Sequence, residues 1–115
     1  MADDCLFCKI ANGEIPSTEV YSDAEFYAFR DIHPGAPTHI LIVPRAHIAT
    51  IAEADSSHAE LLGKLFLRAN EIARKEGIAE DGFRYVINCN THGGQTVYHI
   101  HLHILGGRPM SWPPG

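Results

Sequence analysis

The chain has 115 residues, of which 45% are hydrophobic and 20% are charged, and this composition predicts one folded domain over residues 1–115. Its formal net charge of −5 and its lack of a basic cluster exclude binding to a nucleic-acid backbone, which requires clustered cations. Its apolar runs are too short to span a bilayer, and the acidic N-terminal residues 1–4 do not resemble an export signal.

The first half of the chain is predicted to hold a short helix and three strands. We expect the helix over 4–12, closed by Gly13, because glycine is favoured just beyond a helix end. Alternating aromatic and β-branched residues predict a hairpin of two strands, 19–21 and 25–30, with a turn at 22–23. Two prolines and a glycine exclude regular structure over 32–37, and an apolar strand is predicted over 39–43.

The second half is predicted to hold one long helix and two strands. Apolar residues recur at helical spacing over 57–76, with Ser57 and Glu60 as a capping box and Gly77 as the end signal. Strands are predicted over 83–88 and 97–105, separated by a glycine-rich turn over 91–95. Together these elements predict an α+β fold with a five-stranded antiparallel sheet, one long helix and one short helix.

The strongest functional signal is a row of three histidines that alternate with aliphatic residues in the last predicted strand: His99, Ile100, His101, Leu102, His103 and Ile104. A strand would place the imidazoles on one face and the aliphatic side chains on the other. Such a row can ligate a metal, or it can surround a phosphate with one imidazole as nucleophile. The preceding Gly93-Gly94 pair favours phosphate, because glycines let backbone N–H groups approach an anion closely.

The chain resembles the histidine-triad proteins, in particular the nucleoside phosphoramidate hydrolases known as Hint or protein kinase C inhibitor-like proteins. The resemblance covers nearly the whole chain and includes the segments 29–32, 36–39, 93–95, 97–105 and 106–109. It implies a HIT-like fold and hydrolysis of a purine nucleoside 5′-phosphoramidate through a covalent nucleotidyl-histidine, without a catalytic cofactor. It also implies a homodimer in which the two sheets join into one.

The resemblance further implies a role for each site residue. His101 is the expected nucleophile, with His39 orienting it, His103 contacting the phosphate and His99 completing the catalytic row. The other expected contacts are Thr96 on the phosphate or departing amine, Asp31 on the ribose, Asn88, Gly94 and Gln95 on the phosphate, and Phe7, Ile10, Phe29 and Ile32 around the purine. From spacing alone, the alternatives are core packing for Phe7, Ile10 and Phe29, and turn capping for Asp31. Thr96 stands where the family commonly has serine, which keeps the hydroxyl but stiffens the side chain.

A Cys-x-x-Cys pair near the N-terminus predicts a structural zinc site, because two thiolates and two histidines form a closed tetrahedral centre. The alternative is a pair of buried free thiols. Relatives in the histidine-triad superfamily imply the ligands Cys5, Cys8, His47 and His99. Zinc on His99 would prevent this histidine from donating a proton to the leaving group. Because the three cysteines cannot all pair within the chain, we expect a reducing, cytoplasmic location.

Two other functions stay open at this stage. A metal enzyme that uses the histidine row itself would need a catalytic metal, and no carboxylate stands beside the row in sequence. A nucleotide-binding interaction protein with incidental catalysis would use the same site as the hydrolase. Turnover separates the hydrolase from the interaction protein.

Overall fold

The computed structural model describes residues 4–115, and Met1 to Asp3, the start of the acidic N-terminal sequence, lie outside the described part. The helices are α1 (Leu6–Ala11), α2 (Ala59–Lys75) and α3 (Asn90–Gly93). The strands are β1 (Glu19–Ser22), β2 (Phe26–Arg30), β3 (Thr38–Pro44), β4 (Phe83–Val86) and β5 (Leu102–Gly106). The predicted α+β architecture is confirmed. Within residues 4–115, no helix has the length and apolar character needed to cross a membrane.

The five strands form one antiparallel sheet in the order β1-β2-β3-β5-β4. Its central strand, β3, is buried from Ile40 to Pro44, which explains the apolar run in the sequence. Ile40 and Ile42 face the core under α2, whereas Leu41 and Val43 face the core under α1. The sheet is therefore covered on both faces, by a different helix on each.

The site histidines of the sheet lie on the α1 face. His103 in β5 is paired directly with Leu41 in β3, and directly paired residues project to the same face. His39 is two residues from Leu41 and so shares that face. The α2 face is aliphatic, with Leu102 and Ile104 buried against the apolar stripe of the long helix, which consists of Leu65, Ala69, Ile72 and Ala73. The fold thus separates its larger core from the face that bears imidazoles.

The last strand begins at Leu102, five residues later than predicted. The backbone before it bonds outside the sheet, because the Ile100 N–H donates to the Ile48 carbonyl at 2.7 Å. His99 and His101 therefore precede the strand, and the prediction of one strand carrying all three imidazoles is wrong for these two. Strand β4 ends at Val86 rather than Asn88 for the same reason, since its pairing partner leaves the sheet before Leu102.

The predicted capping box at Ser57 and Glu60 is also wrong. Asp55 caps an additional 3₁₀ turn, Ser56–His58, by accepting the Ser57 N–H at 2.9 Å, and His58 Nδ1 accepts the Asp55 N–H at 3.1 Å. Helix α2 therefore starts at Ala59 instead of Ser57. At its other end the prediction holds, because Gly77 adopts a left-handed φ of +75° just beyond the helix.

Smaller differences concern the termini of short elements. Helix α1 is shorter than predicted and begins after Cys5, whose sulfur accepts the Cys8 N–H at 3.4 Å. The hairpin turn includes Glu25 as well as Asp23, because the Asp23 carboxylate accepts the N–H groups of Glu25 and Phe26. The predicted glycine-rich turn contains the single-turn helix α3.

Candidate active site

His101 is held as a neutral imidazole with one free nitrogen. Its Nδ1 lies 2.8 Å from the His99 carbonyl, which can only accept, so Nδ1 carries the ring proton. Nε2 therefore bears the lone pair. Burial lowers the pKa of His101 below its ordinary value, which keeps the ring neutral at pH 7. The ring of Phe7 packs edge-on against it with the centroids 4.9 Å apart. This arrangement suits a nitrogen nucleophile.

His39 and His103 form a hydrogen-bonded pair whose protons are set by the backbone. The Gly35 N–H donates to His39 Nδ1 at 2.9 Å, so the proton of neutral His39 is on Nε2. That Nε2–H donates to His103 Nδ1 at 2.9 Å, which leaves the proton of His103 on its own Nε2. His103 Nε2 is buried and has no hydrogen-bond partner among residues 4–115. The described part of the chain therefore leaves this buried N–H donor unsatisfied, which is costly without a ligand.

The two candidate groups, His101 and His103, are neighbours, with ring centroids 5.0 Å apart. The pKa of His103 is lowered to about 4, first by burial and then by the nearby His101 and His39. Burial also lowers the pKa of His39, against the opposing effect of Asp31. All three rings are therefore neutral at pH 7. His101 Nε2 bears a lone pair and His103 Nε2 bears an N–H. Attack on a phosphate requires both, a nucleophile and a hydrogen-bond donor.

His99 does not join this group with its ring, which is fully buried and turned toward the first helix. Its Nε2–H donates to the Pro44 carbonyl at 2.7 Å, and its Nδ1 faces Cys5 Sγ at 3.2 Å and Cys8 Sγ at 3.5 Å. Both ring nitrogens are thus engaged away from His101. In the structure, His99 acts on the candidate nucleophile through its backbone carbonyl.

Asp31 has both a turn-capping role and a free carboxylate oxygen. Its Oδ1 accepts the His33 N–H at 2.8 Å, which is the capping contact considered as the alternative. Its Oδ2 lies 3.5 Å from His39 Nε2 and accepts no backbone N–H from the part of the chain that the structure describes. The capping bond holds the carboxylate at the start of the 31–37 loop, beside the histidine pair.

The residues expected around the purine fall into two groups. Phe7, Ile10 and Phe29 are buried together in the smaller core, and Phe7 meets Phe29 edge-on at 5.5 Å. This is the core-packing alternative, and it leaves these three side chains with little free surface. Ile32, in contrast, is 85% exposed. Of the four residues, only Ile32 therefore has a side chain that is open to solvent.

The loop expected to bind phosphate is held in shape by Gln95. Its amide nitrogen donates to the Ala49 carbonyl at 2.8 Å and to the Val97 carbonyl at 3.1 Å, and its amide oxygen accepts the Asn90 N–H at 2.9 Å. The Gln95 side chain is therefore engaged within the protein. Gly94 has a φ of +80° and lies exposed with Thr96 on the same loop, while Asn88 is partly buried before it.

Cys5, His47 and His99 form a cluster that fits a tetrahedral metal, and Cys8 lies beside it with its Sγ near His99 Nδ1. Zn–S and Zn–N bonds of about 2.3 and 2.0–2.1 Å place sulfur and nitrogen about 3.5 Å apart, which matches the two sulfur distances of His99 Nδ1. Ligand atoms of Cys5, His47 and His99 lie within 4.8 Å of one another. His47 Nε2–H donates to the Tyr98 carbonyl at 3.1 Å, and His99 Nε2–H donates to the Pro44 carbonyl. Such bonds to carbonyls are typical of metal-binding histidines.

A second cluster, Asp31, His39 and His103, also has its ligand atoms within 4.8 Å, but its protons do not suit a metal. A metal on His39 Nε2 would require the ring proton on Nδ1. That nitrogen accepts the Gly35 N–H, so two hydrogens would face each other. The hydrogen bonds therefore argue against a metal enzyme that uses this part of the histidine row. Gly35 itself was missed at the sequence level, because its contribution is a backbone N–H.

The chain is similar in sequence and in fold to proteins of one known family. A HIT domain model matches residues 12–110, and the chain belongs to the histidine-triad (HIT) family. It is 54% identical over 110 residues to the purine nucleoside phosphoramidase of Escherichia coli strain K12, covering 96% of this chain and 92% of that protein. It is 54% identical over 112 residues to a 14 kDa zinc-binding protein of Zea mays, covering 96% and 87%. The crystal structure of a HIT family hydrolase from Legionella pneumophila has a TM-score of 0.96 at 58% identity, covering 97% and 100%.

Proposed function

We propose that the protein hydrolyses purine nucleoside 5′-phosphoramidates, cleaving the P–N bond to release an amine and a nucleoside monophosphate. The observation that carries this proposal is the buried His103 Nε2–H, which has no hydrogen-bond partner among the described residues and belongs to a ring next to that of His101, whose Nε2 bears a lone pair. A phosphate group would accept the hydrogen bond from His103 Nε2–H while its phosphorus is attacked by His101 Nε2. The similarity to a purine nucleoside phosphoramidase supports the substrate class.

In the proposed reaction, His101 Nε2 attacks phosphorus and the P–N bond breaks. The electron pair of that bond stays on nitrogen, which takes a proton from water and departs as the neutral amine, and the nucleotide stays on the imidazole. The ring then carries a positive charge, which its Nδ1–H bond to the His99 carbonyl stabilises. His103 Nε2–H donates to a phosphate oxygen, where negative charge increases in the transition state. A second water then attacks phosphorus and the bond between phosphorus and His101 Nε2 breaks, which releases the monophosphate. The proton lost by this water balances the one taken up by the amine, and His101 is again neutral.

The remaining contacts in the proposal follow the resemblance and the positions described above. Asp31 Oδ2, free of the backbone, is assigned to the ribose hydroxyls, and exposed Ile32 to the purine. The Thr96 hydroxyl, on the exposed side of the α3 loop, is assigned to the departing amine. Phe7 supports the nucleophile by packing on its ring.

The deciding experiment is steady-state hydrolysis of adenosine 5′-phosphoramidate by the wild type and by His101→Ala, each with and without a chelator. We expect wild-type turnover that survives chelation and a loss of at least about 10⁴-fold in kcat for the variant, since the covalent route is removed. A folded wild type that binds adenosine monophosphate but shows no turnover would contradict the hydrolase and favour a nucleotide-binding interaction protein.

Zinc, in this proposal, is a structural ion held by Cys5, Cys8, His47 and His99. Bound zinc would cross-link helix α1 to the segment that carries His99. The donor geometry and the zinc-binding relative from Zea mays support this role. Metal analysis of protein purified without chelator should give one zinc per chain for the wild type and much less for Cys8→Ser. Equal metal content in both would remove Cys8 from the ligand set.

We further propose a homodimer and a cytoplasmic location. Strand β4 is an edge of the sheet, and α2 beside it exposes Phe66 and Leu67, with Phe66 in contact with Tyr85. Pairing two β4 edges would satisfy unpaired backbone groups and cover these side chains. Sedimentation of the purified protein should give twice the chain mass. The free thiols of Cys5 and Cys8, required for zinc, support a reducing compartment.

A further inference from the structure

The start of the C-terminal tail lies along the loop that holds His39. Gly106, the last residue of β5, pairs with Thr38. Gly107 has a φ of +93°, and a Cβ there would lie 2.9 Å from Pro37 Cβ, so both the turn and the close approach require glycine. This turn directs Arg108 to the loop, where its Nη2 donates to the Gly35 carbonyl at 2.8 Å.

Arg108 thereby contacts the residue that determines the protons of the site. The N–H of Gly35 bonds His39 Nδ1, and His39 Nε2–H bonds His103 Nδ1. Gly35 is itself exposed, in a loop without regular structure. Among residues 4–115, two hydrogen bonds hold its backbone, one to His39 and one from Arg108.

We propose that Arg108 is a positioning residue that holds Gly35 in place and so keeps His39 and His103 in the tautomers that aim an N–H at the substrate phosphate. The consequence for rate rests on the proposed function. If Gly35 moves, His39 can place its proton on Nδ1, and His103 must then donate from Nδ1. His103 Nε2 would present a lone pair to the phosphate oxygens, which turns an attraction into a repulsion.

The test compares Arg108→Ala with Arg84→Ala. Arg84 provides a matched control, because it also anchors the tail, by donating to the Ser111 carbonyl at 2.8 Å and packing over Trp112, and it carries the same charge. Long-range ¹H–¹⁵N NMR of the histidine rings, on the substrate-free full chain near pH 7, reports each tautomer. We expect a single Nε2–H tautomer for His39 in the wild type and in Arg84→Ala. In Arg108→Ala we expect a mixture of tautomers at His39 and His103.

Kinetics with adenosine 5′-phosphoramidate complete the test. We expect Arg108→Ala to lower kcat roughly 3- to 10-fold, the range of one hydrogen bond, while KM changes less than about twofold. A wild-type tautomer spectrum in Arg108→Ala would overturn the proposal, as would an equal change in Arg84→Ala. A tautomer change in a protein whose wild type shows no turnover would instead contradict the hydrolase and leave the positioning role intact.

Discussion

The burial of His103 as a neutral imidazole should make the fold sensitive to acid. Its pKa is about 4 in the folded protein, because of burial and then of the neighbouring His101 and His39, whereas the unfolded chain has a pKa of about 6.5. Between these values only the unfolded chain takes up the proton. Stability is therefore retained above about pH 6.5 and is lost as the pH falls toward 4. Linkage gives a loss of about 2 kcal/mol from His103 alone between pH 7 and pH 5.

Chemical denaturation of the wild type and of His103→Gln, at pH 7 and at pH 5, measures this contribution. Glutamine does not titrate, and its amide can still donate near the position of the imidazole Nε2–H. We expect the wild type to lose about 2 kcal/mol more unfolding free energy than the variant between the two pH values. Release of zinc in acid affects both proteins alike, because the variant keeps the proposed ligands. Equal losses would show that His103 is protonated or solvated in the folded protein and would contradict the predicted acid sensitivity.

Three further predictions follow from other contacts. Because burial lowers the pKa of His101 and the neutral ring is the nucleophile, the acid limb of kcat/KM should have its midpoint below pH 6.5; a midpoint at or above 6.5 would contradict this. Gln95→Ala removes three bonds to backbone groups and should lower the unfolding free energy by about 2–4 kcal/mol, measured in denaturant. Arg45→Ala removes bonds to the Asp23 and Ala11 carbonyls and should cost about 1–3 kcal/mol in the same assay; a change under about 0.5 kcal/mol would mean that α1 is held without it.

The elements that are predictable from sequence are those with a strong periodicity and local end signals. Helix α2 buries Leu65 and Ala69 at the predicted spacing and ends before Gly77. Strand β3 is recognisable from its apolar run, because a central strand is buried on both faces. In both cases the information lies within one segment. The predicted start of α2 is two residues too early, because Asp55, and not Ser57, caps the turn that precedes the helix.

The features that sequence did not reveal depend on contacts between distant segments. Strand β5 starts late because Ile100 bonds Ile48, and His99 turns from the row because it bonds Pro44. Both partners lie about fifty residues earlier in the chain, and both contribute a backbone carbonyl, which every residue type has. The histidine alternation therefore identified the residues of the candidate site but not the directions of their rings.

Backbone partners explain how three chemically identical side chains take different parts in one site. The His99 carbonyl places the proton of His101 on Nδ1 and leaves Nε2 free to attack. The Gly35 N–H places the proton of His39 on Nε2, which in turn places the proton of His103 on Nε2. In equivalent environments, the histidines of such a row would all present the same mixture of lone pairs and N–H groups to a phosphate. The segments that supply the His99 carbonyl and the Gly35 N–H therefore determine that His101 is the nucleophile and His103 the donor. Substitutions that move the 31–37 loop should impair the chemistry even when every histidine is retained, because the donor at His103 is defined three hydrogen bonds away, at Arg108.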